Sequence, residues 1–363
     1  MPPRVRLAIR ASPIALSPSS VQISWRIPTA SWVRNRNGTL TTGGHARVGR
    51  SRRTTGPTDG RPEPARSRVA RLRSPSRLSY SAGVATVDVH QHLWPEQLLS
   101  ALSGRRDPPR LRGRTLELAA EGASEIDPEA HDLTRRVALL DRDEIDVAVV
   151  SLQPTIEIEG RPELIAAYHE GIVELVAASA GRIRALSAGE VQDGFVGASV
   201  SAAAFVAGVE PLLTELEEAG RFLFVHPGPP SALPPGAPAW WPGVVAYTAQ
   251  MQAAYFWWLS VGAPLHPRLR VVFTILAGGG PFQAERLASR GEPASTPHGV
   301  FLDTASYGRR AIELCLANCG PGRVVYGSDM PVIDPRATLE AIRGLGDAAA
   351  DAILAENPAR LLE

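Results

Sequence analysis

The chain has 363 residues, 44% of them hydrophobic, and a formal charge of +1. That length suits one large domain or two ordinary ones with a sizeable core. Two cysteines, Cys315 and Cys319, exclude a disulfide framework. No run of ~18 apolar residues predicts a membrane span, and the expected location is a reducing cytoplasm.

The net charge hides an asymmetry. Residues 1–83 hold 16 Arg against two acids, Asp59 and Glu63, a charge of +14. Residues 84–363 hold 22 Arg against 35 acids, a charge of −13. There is no lysine; with 33 Gly and 32 Pro, this reads as genomic bias more than function. The first segment is rich in Arg, Ser, Pro and Thr, has little apolar periodicity, and is expected to be disordered. A basic arm for nucleic acid would need a clustered pattern or a folded platform, so no nucleic-acid partner is expected. A transit peptide is the second account. Sequence upstream of the true start is the third and preferred one, because organised pattern begins abruptly at Val84–Val87.

From there on, short apolar runs alternate with amphipathic stretches. The strand candidates, in order, are "TVDVHQH", "DVAVVSLQP", "RIRALSAGE", "VGASVSAAA", "FLFVHPG", "RVVFTILAGGG", "VFLDTASY" and "RVVYGSDMP". Helical patterns lie between them, among them "DLTRRVALLDRDE", "PELIAAYHEGIVELVAASA", "VEPLLTELEEAG" and "DPRATLEAIRGL". β-Branched strands alternating with helices predict a parallel sheet. Eight such units over residues 84–363 predict an α/β fold, a (β/α)8 TIM barrel, preceded by the disordered extension. A doubly wound open sheet is the alternative, weakened because no G-x-G-x-x-G follows the first strand.

The chemistry-bearing residues fall at predicted strand ends. His90 and His92 end the first strand and, at i and i+2, share one face. His226 ends "FLFVHPG" and Asp329 ends "RVVYGSDMP". Three imidazoles and a carboxylate at the catalytic end of a barrel suit zinc or a similar divalent ion, manganese included, with an open position for water. Such an ion lowers the pKa of water toward ~7, and Asp329 is the candidate base. Each residue has a plain structural reading as well: an H-x-H occurs by chance, His226 could be a bonded core residue, and Asp329 could cap a helix.

Residues 84–363 resemble the amidohydrolase superfamily, in its branch related to aminocarboxymuconate semialdehyde decarboxylase. The matching pieces are "DVHQHLWP", "FVHPGPP", "VVFTILAGGGPF", "VFLDTASYG", "VVYGSDMPV" and the closing "ILAENPARLLE", whose Asn357 starts an N-A-x-R-L-like run. The resemblance implies a (β/α)8 barrel in which His90, His92, His226 and Asp329 bind a catalytic metal. It also implies a small-molecule substrate and an assembly that is often a homodimer. One position departs: the family's usual histidine before the glycines falls on Ala277. In the decarboxylases that histidine assists as acid, base or water activator. His131 and His169 sit on helical stretches, His266 and His298 precede strands and His45 lies in the arm, so none replaces it.

Hydrolysis needs only the metal and one carboxylate base, whereas decarboxylation needs a proton donor. The reading is therefore a metal-dependent hydrolase of a small organic acid, lactone or amide. Two alternatives stand beside it: a non-oxidative decarboxylase of an aromatic or unsaturated acid, and a non-catalytic ligand-binding barrel. Candidate substrate contacts are Trp94 after the first strand, Trp240 and Trp241 in a Pro-rich loop, and Gly278 in "AGGG", where glycine permits close backbone approach. Asp303 is placed to orient a ligand histidine from behind, and Tyr307 follows it at the same strand end. Arg182 and Arg184 read as solvated charges, and Cys315 and Cys319 as small buried residues on one helix face.

Overall fold

The computed structural model describes residues 83–293 and 295–363. The expectations for residues 1–82 lie outside the described residues. All eight strand candidates form strands: β1 Val87–His92; then, after a three-stranded insertion (β2 Arg110–Arg112, β3 Thr115–Leu118, β4 Gly122–Glu125), β5 Val147–Ser151, β6 Ile183–Ala188, β7 Gly197–Ser201, β8 Phe222–His226, β9 Val271–Phe273, β10 Val300–Asp303 and β11 Val324–Val325. Each barrel strand pairs in parallel with the next in the order β1-β5-β6-β7-β8-β9-β10-β11. The segment after β11 returns to β1. His92 N donates to Met330 O at 2.7 Å, Asp329 N donates to His90 O at 2.8 Å, and Val89 N donates to Tyr326 O at 2.9 Å. The result is a (β/α)8 barrel.

Alternation along the strands divides the apolar residues into two cores. Phe222 and Phe224 pack inside the barrel with Val89, Val149, Leu186, Val272, Phe301 and Val325. Their neighbours Leu223 and Val225 join the outer layer under the helices. The same alternation would turn His90 outward, because Val87 and Val89 already face in. A register shift between Asp88 and Gln91 prevents this. It acts as a bulge, and bulges re-aim side chains beside functional sites. Buried Asp88 holds it: one carboxylate oxygen accepts from His90 N (3.1 Å) and Ser328 N (3.0 Å), the other from Gln91 Nε2 (2.7 Å). Burial raises the Asp88 pKa to about 6, against the lowering effect of these bonds. His90 and His92 both face inward as a result.

Helices α1 (Glu96–Gly104), α2 (Leu133–Asp143) and α3 (Pro162–Ala178) cover the first strands, and α4 (Ala202–Ala207), α5 (Glu210–Glu218) and α6 (Tyr247–Trp257) follow. α2 starts where the Asp132 carboxylate caps Arg135 N at 2.7 Å, and it ends at Glu144 in a left-handed conformation. Its Arg136 is fully buried. That guanidinium donates to Gln91 Oε1, His92 O and Ala130 O, clamping the backbone behind both histidines. At the chain's end, Asn357 Nδ2 donates to the carbonyls of Pro321 and Val324, and Leu361 plugs the interior core. No helix among the described residues is long and apolar enough to cross a membrane.

Candidate metal centre

His90, His92, His226 and Asp329 converge, each offering a ligand atom, and those atoms all lie within 4.8 Å of one another. The imidazoles are buried. Asp329 Oδ1 lies 3.1 Å from His92 Nε2 and 3.5 Å from His90 Nε2. Each ring is held from behind through its other nitrogen. His90 Nδ1 meets Asp303 Oδ2 at 2.7 Å, His92 Nδ1 meets the Ser151 carbonyl at 3.1 Å, and His226 Nδ1 meets the Pro227 carbonyl at 2.8 Å. Carbonyls and carboxylates only accept, so each Nδ1 carries a proton and each Nε2 is turned toward the centre, where it can bind an ion. That donor set fits a divalent cation.

The surrounding carboxylates favour positive charge at the centre. Burial opposes charge on His90, but Asp303, Asp329 and Asp88 outweigh it and raise the pKa to about 9, so a cation binding here displaces the Nε2 proton. Burial, and then repulsion from His90, pushes His92 and His226 down and keeps them neutral. The Asp329 pKa is lowered: burial works against this, and the three imidazoles prevail. Asp329 sits at φ 60°, a left-handed conformation uncommon outside glycine and tolerated where a site demands it.

Asp303 is the hub of the support. Besides His90 it accepts from Ile275 N (2.9 Å) and Ala305 N (3.0 Å). Gly327 lets the last strand pass this close, since a Cβ there would sit 2.8 Å from His90 Cβ and 2.9 Å from Asp303 Cγ. Asp303→Asn is expected to weaken metal affinity about 10–100-fold. Competition against a chromogenic chelator measures it, and an unchanged dissociation constant contradicts the role.

The cavity in front of the cluster has a volume of about 190 Å³. Gln153, Thr155, Gly243, Tyr247, Ile275 and Ser306 are among its walls. It adjoins a chamber of about 370 Å³ lined by Trp94, Leu116, Leu118, Glu121, Ile126 and His131 among others. Gln153, Thr155, Tyr247 and Val332 line both. The roof of the chamber is the β2–β4 insertion, which the sequence reading passed over although Gly113 between "RLR" and "TLEL" is a turn signal. Glu121, Tyr247 and Gln153 were not singled out either: they reach the site from the insertion, a helix start and a loop, where no strand end marks them.

Several expected substrate contacts are placed elsewhere. Trp94 does line the chamber, with its Nε1 bonded to Gln153 Oε1 at 2.8 Å. Trp240 is 57% exposed. It pairs with Trp241 at 5.9 Å in a surface loop, and neither lines either cavity. Gly278 lies buried beneath helix α6 (Tyr247–Trp257), where a Cβ would meet Thr248 O at 2.1 Å. Its openness serves packing, not substrate. Ala277 is also buried in the outer core, and the side chain that this strand end presents to the cavity is Ile275. The reason is a left-handed run from Ile275 to Gly279, φ 47–81°, which curls the chain away after one residue.

The other described histidines have structural partners. His169 Nε2 accepts from Ala188 N, His266 bonds Glu210, and His298 backs Arg323. His131 stacks on Trp94 with ring centroids 4.7 Å apart, and its Nδ1 accepts from Trp94 N. Burial, with Arg136 and His92 behind it, lowers its pKa to about 3. Below its unfolded value near 6.5 the unfolded chain takes up a proton that the folded protein refuses. Stability is therefore lost as pH falls from ~6.5 toward ~3, by up to about 1.4 kcal/mol per pH unit from this group. Urea midpoints against pH for wild type and His131→Gln test it: the variant should show a shallower acid slope, and parallel curves contradict it.

The amidohydrolase family model matches residues 87–363, essentially the whole barrel. This chain belongs to the amidohydrolase family. A search of curated proteins finds no match. Among solved structures, the amidohydrolase barrel resembles 5-carboxyvanillate decarboxylase from Sphingomonas paucimobilis, at 17% identity and a TM-score of 0.60 over 77% of this chain and 99% of that one. It also resembles a dihydroxybenzoic acid decarboxylase from Polaromonas solved with manganese and 2-nitroresorcinol, at 18% identity and a TM-score of 0.57 over 77% and 97%. A third is 2,6-dihydroxybenzoate decarboxylase from Rhizobium, at 16% identity and a TM-score of 0.54 over 77% and 99%.

Proposed function

We propose that this amidohydrolase is a metal-dependent hydrolase of a small lactone, ester, amide or related organic acid. His90, His92, His226 and Asp329 hold the ion in this reading, and Asp329 is the base. The observation that carries it is the pairing of a locked four-donor cluster with Ile275, an apolar side chain, at the β9 strand end. Among the described residues lining the metal cavity, Tyr247 is the only titratable side chain outside the cluster. Hydrolysis asks no more than this site offers. A bound divalent ion supplies Lewis acidity, polarising a carbonyl and lowering the pKa of water. Asp329 accepts the proton of the attacking water. The acyl carbon–oxygen or carbon–nitrogen bond breaks, and the proton passes from Asp329 to the departing atom. The three imidazoles are buried, and charges beside them interact more strongly than in bulk water. Zinc suits three imidazoles and a carboxylate, with manganese the alternative.

The second reading is a carboxy-lyase, favoured by the decarboxylases that share the fold. It requires a proton for the carbon that loses carbon dioxide, and Ile275 supplies none. A panel of lactones, esters, amides and hydroxybenzoates, run with added zinc or manganese and with chelator, separates the two. Metal-dependent formation of the hydrolysis products, read by chromatography, supports the hydrolase. Carbon dioxide release from a hydroxybenzoate with no hydrolysis overturns it in favour of the lyase.

A further inference from the structure

The chamber beside the metal cavity has walls whose chemistry is selective. Its apolar side comes from Trp94, Leu116, Leu118, Ile126 and Ile156. Among its polar residues is a bonded pair: Tyr247 Oη donates to Glu121 Oε1 at 2.5 Å. Glu121 comes from the insertion and Tyr247 from the start of α6, so the pair joins two distant parts of the chain. Tyr247 faces the metal cavity as well as the chamber, so a substrate spanning the two must pass its hydroxyl.

The charges are lopsided. The chain has no Lys, and among the described residues no Arg lines either cavity. Glu121, Glu125 and Asp127 all lie on the chamber side. Asp127 is engaged by Arg114 and Arg135 outside the cavity, and Glu125 by Thr115. Among the described residues Glu121 has only the Tyr247 hydroxyl as a side-chain partner, with Glu157 near enough to repel it. A second anion brought here meets like charge without a counter-ion. A hydroxyl group brought here finds a carboxylate acceptor and a phenol.

We propose that the chamber is the ring subsite of the enzyme. It binds an uncharged, hydroxyl-bearing aromatic or alicyclic group through Glu121 and Tyr247, and rejects substrates with a second carboxylate. The proposal rests on the reading above for the other end of the substrate, whose reacting group faces the cluster. Selection of this kind combines an attractive contact for the right ligand with repulsion of the wrong one. Burial raises the Glu121 pKa, which fits a carboxylate that gains from a donor more than from solvent.

Three probes test it on the full-length, zinc-loaded protein by calorimetry: benzoate, meta-hydroxybenzoate and isophthalate. The hydroxyl should tighten binding about tenfold over benzoate, and the second carboxylate should weaken it about tenfold or more. Glu121→Gln should relieve most of the isophthalate penalty, and Tyr247→Phe should shrink the gain from the hydroxyl. Zinc content and thermal unfolding should stay near wild type in both variants, which shows that they are folded. Isophthalate binding as tightly as meta-hydroxybenzoate, or ratios unmoved by Glu121→Gln, overturns the subsite while zinc-dependent benzoate binding leaves the metal reading standing. Equal binding of all three with and without zinc overturns the metal reading and the subsite with it.

Discussion

His92→Ala is expected to leave the protein folded, metal-free and inactive. His92 is central to the cluster, with Nε2 3.3 Å from that of His90 and 3.1 Å from Asp329 Oδ1. Its removal leaves two imidazoles and a carboxylate around a gap, and a cation there loses one of four donors. Metal content should fall from about one equivalent to under about a tenth, and turnover by ~1,000-fold or more, equivalent to ~4 kcal/mol of barrier. The fold should tolerate the change. The main-chain bond from His92 N to Met330 O and the Arg136 clamp on His92 O need no imidazole. Exposed His298 provides the control, since His298→Ala should keep metal and activity. Metal analysis by mass spectrometry with turnover on any substrate found decides the matter, and unchanged turnover in His92→Ala rejects the assigned centre.

Gly278→Ala is expected to damage the fold, not the site. The new Cβ would stand 2.1 Å from Thr248 O and 2.8 Å from Thr248 Cα, both backbone atoms that cannot swing aside. The residue also sits at φ 60°, which costs any L side chain. Helix α6 would have to lift, breaking the bond from Gln252 Nε2 to Gly278 O at 2.7 Å. A cost of about 3 kcal/mol or more is expected from overpacking and backbone strain together. Thermal unfolding should show a fall in Tm of several degrees, with the metal affinity of the folded fraction unchanged. A normal Tm with impaired substrate binding would restore the direct substrate role that the sequence suggested.

Alternating apolar runs and helical patterns carried the barrel, because period and burial are local properties of a strand that must be covered on both faces. The identities of His90, His92, His226 and Asp329 were legible for the same reason, each standing at the end of such a run. Asp303 was legible as a partner for a histidine, but which histidine depended on two strands 213 residues apart meeting.

Other features had no local signature. The shift after Asp88 that turns His90 inward depends on Ser328 N and Gln91 reaching the same carboxylate. The choice of Ile275 over Ala277 as the cavity-facing residue depends on a left-handed run that no propensity predicts, held at its start by Asp303. The Glu121–Tyr247 pair spans 126 residues, from an insertion to a helix. By itself the sequence determined the barrel, the four donors and their common end, since hydrophobic period and residue chemistry are written locally. Only the tertiary structure decided which side chains face the cavity and what charge surrounds them, because backbone reversals and long-range hydrogen bonds exist only after distant segments have met.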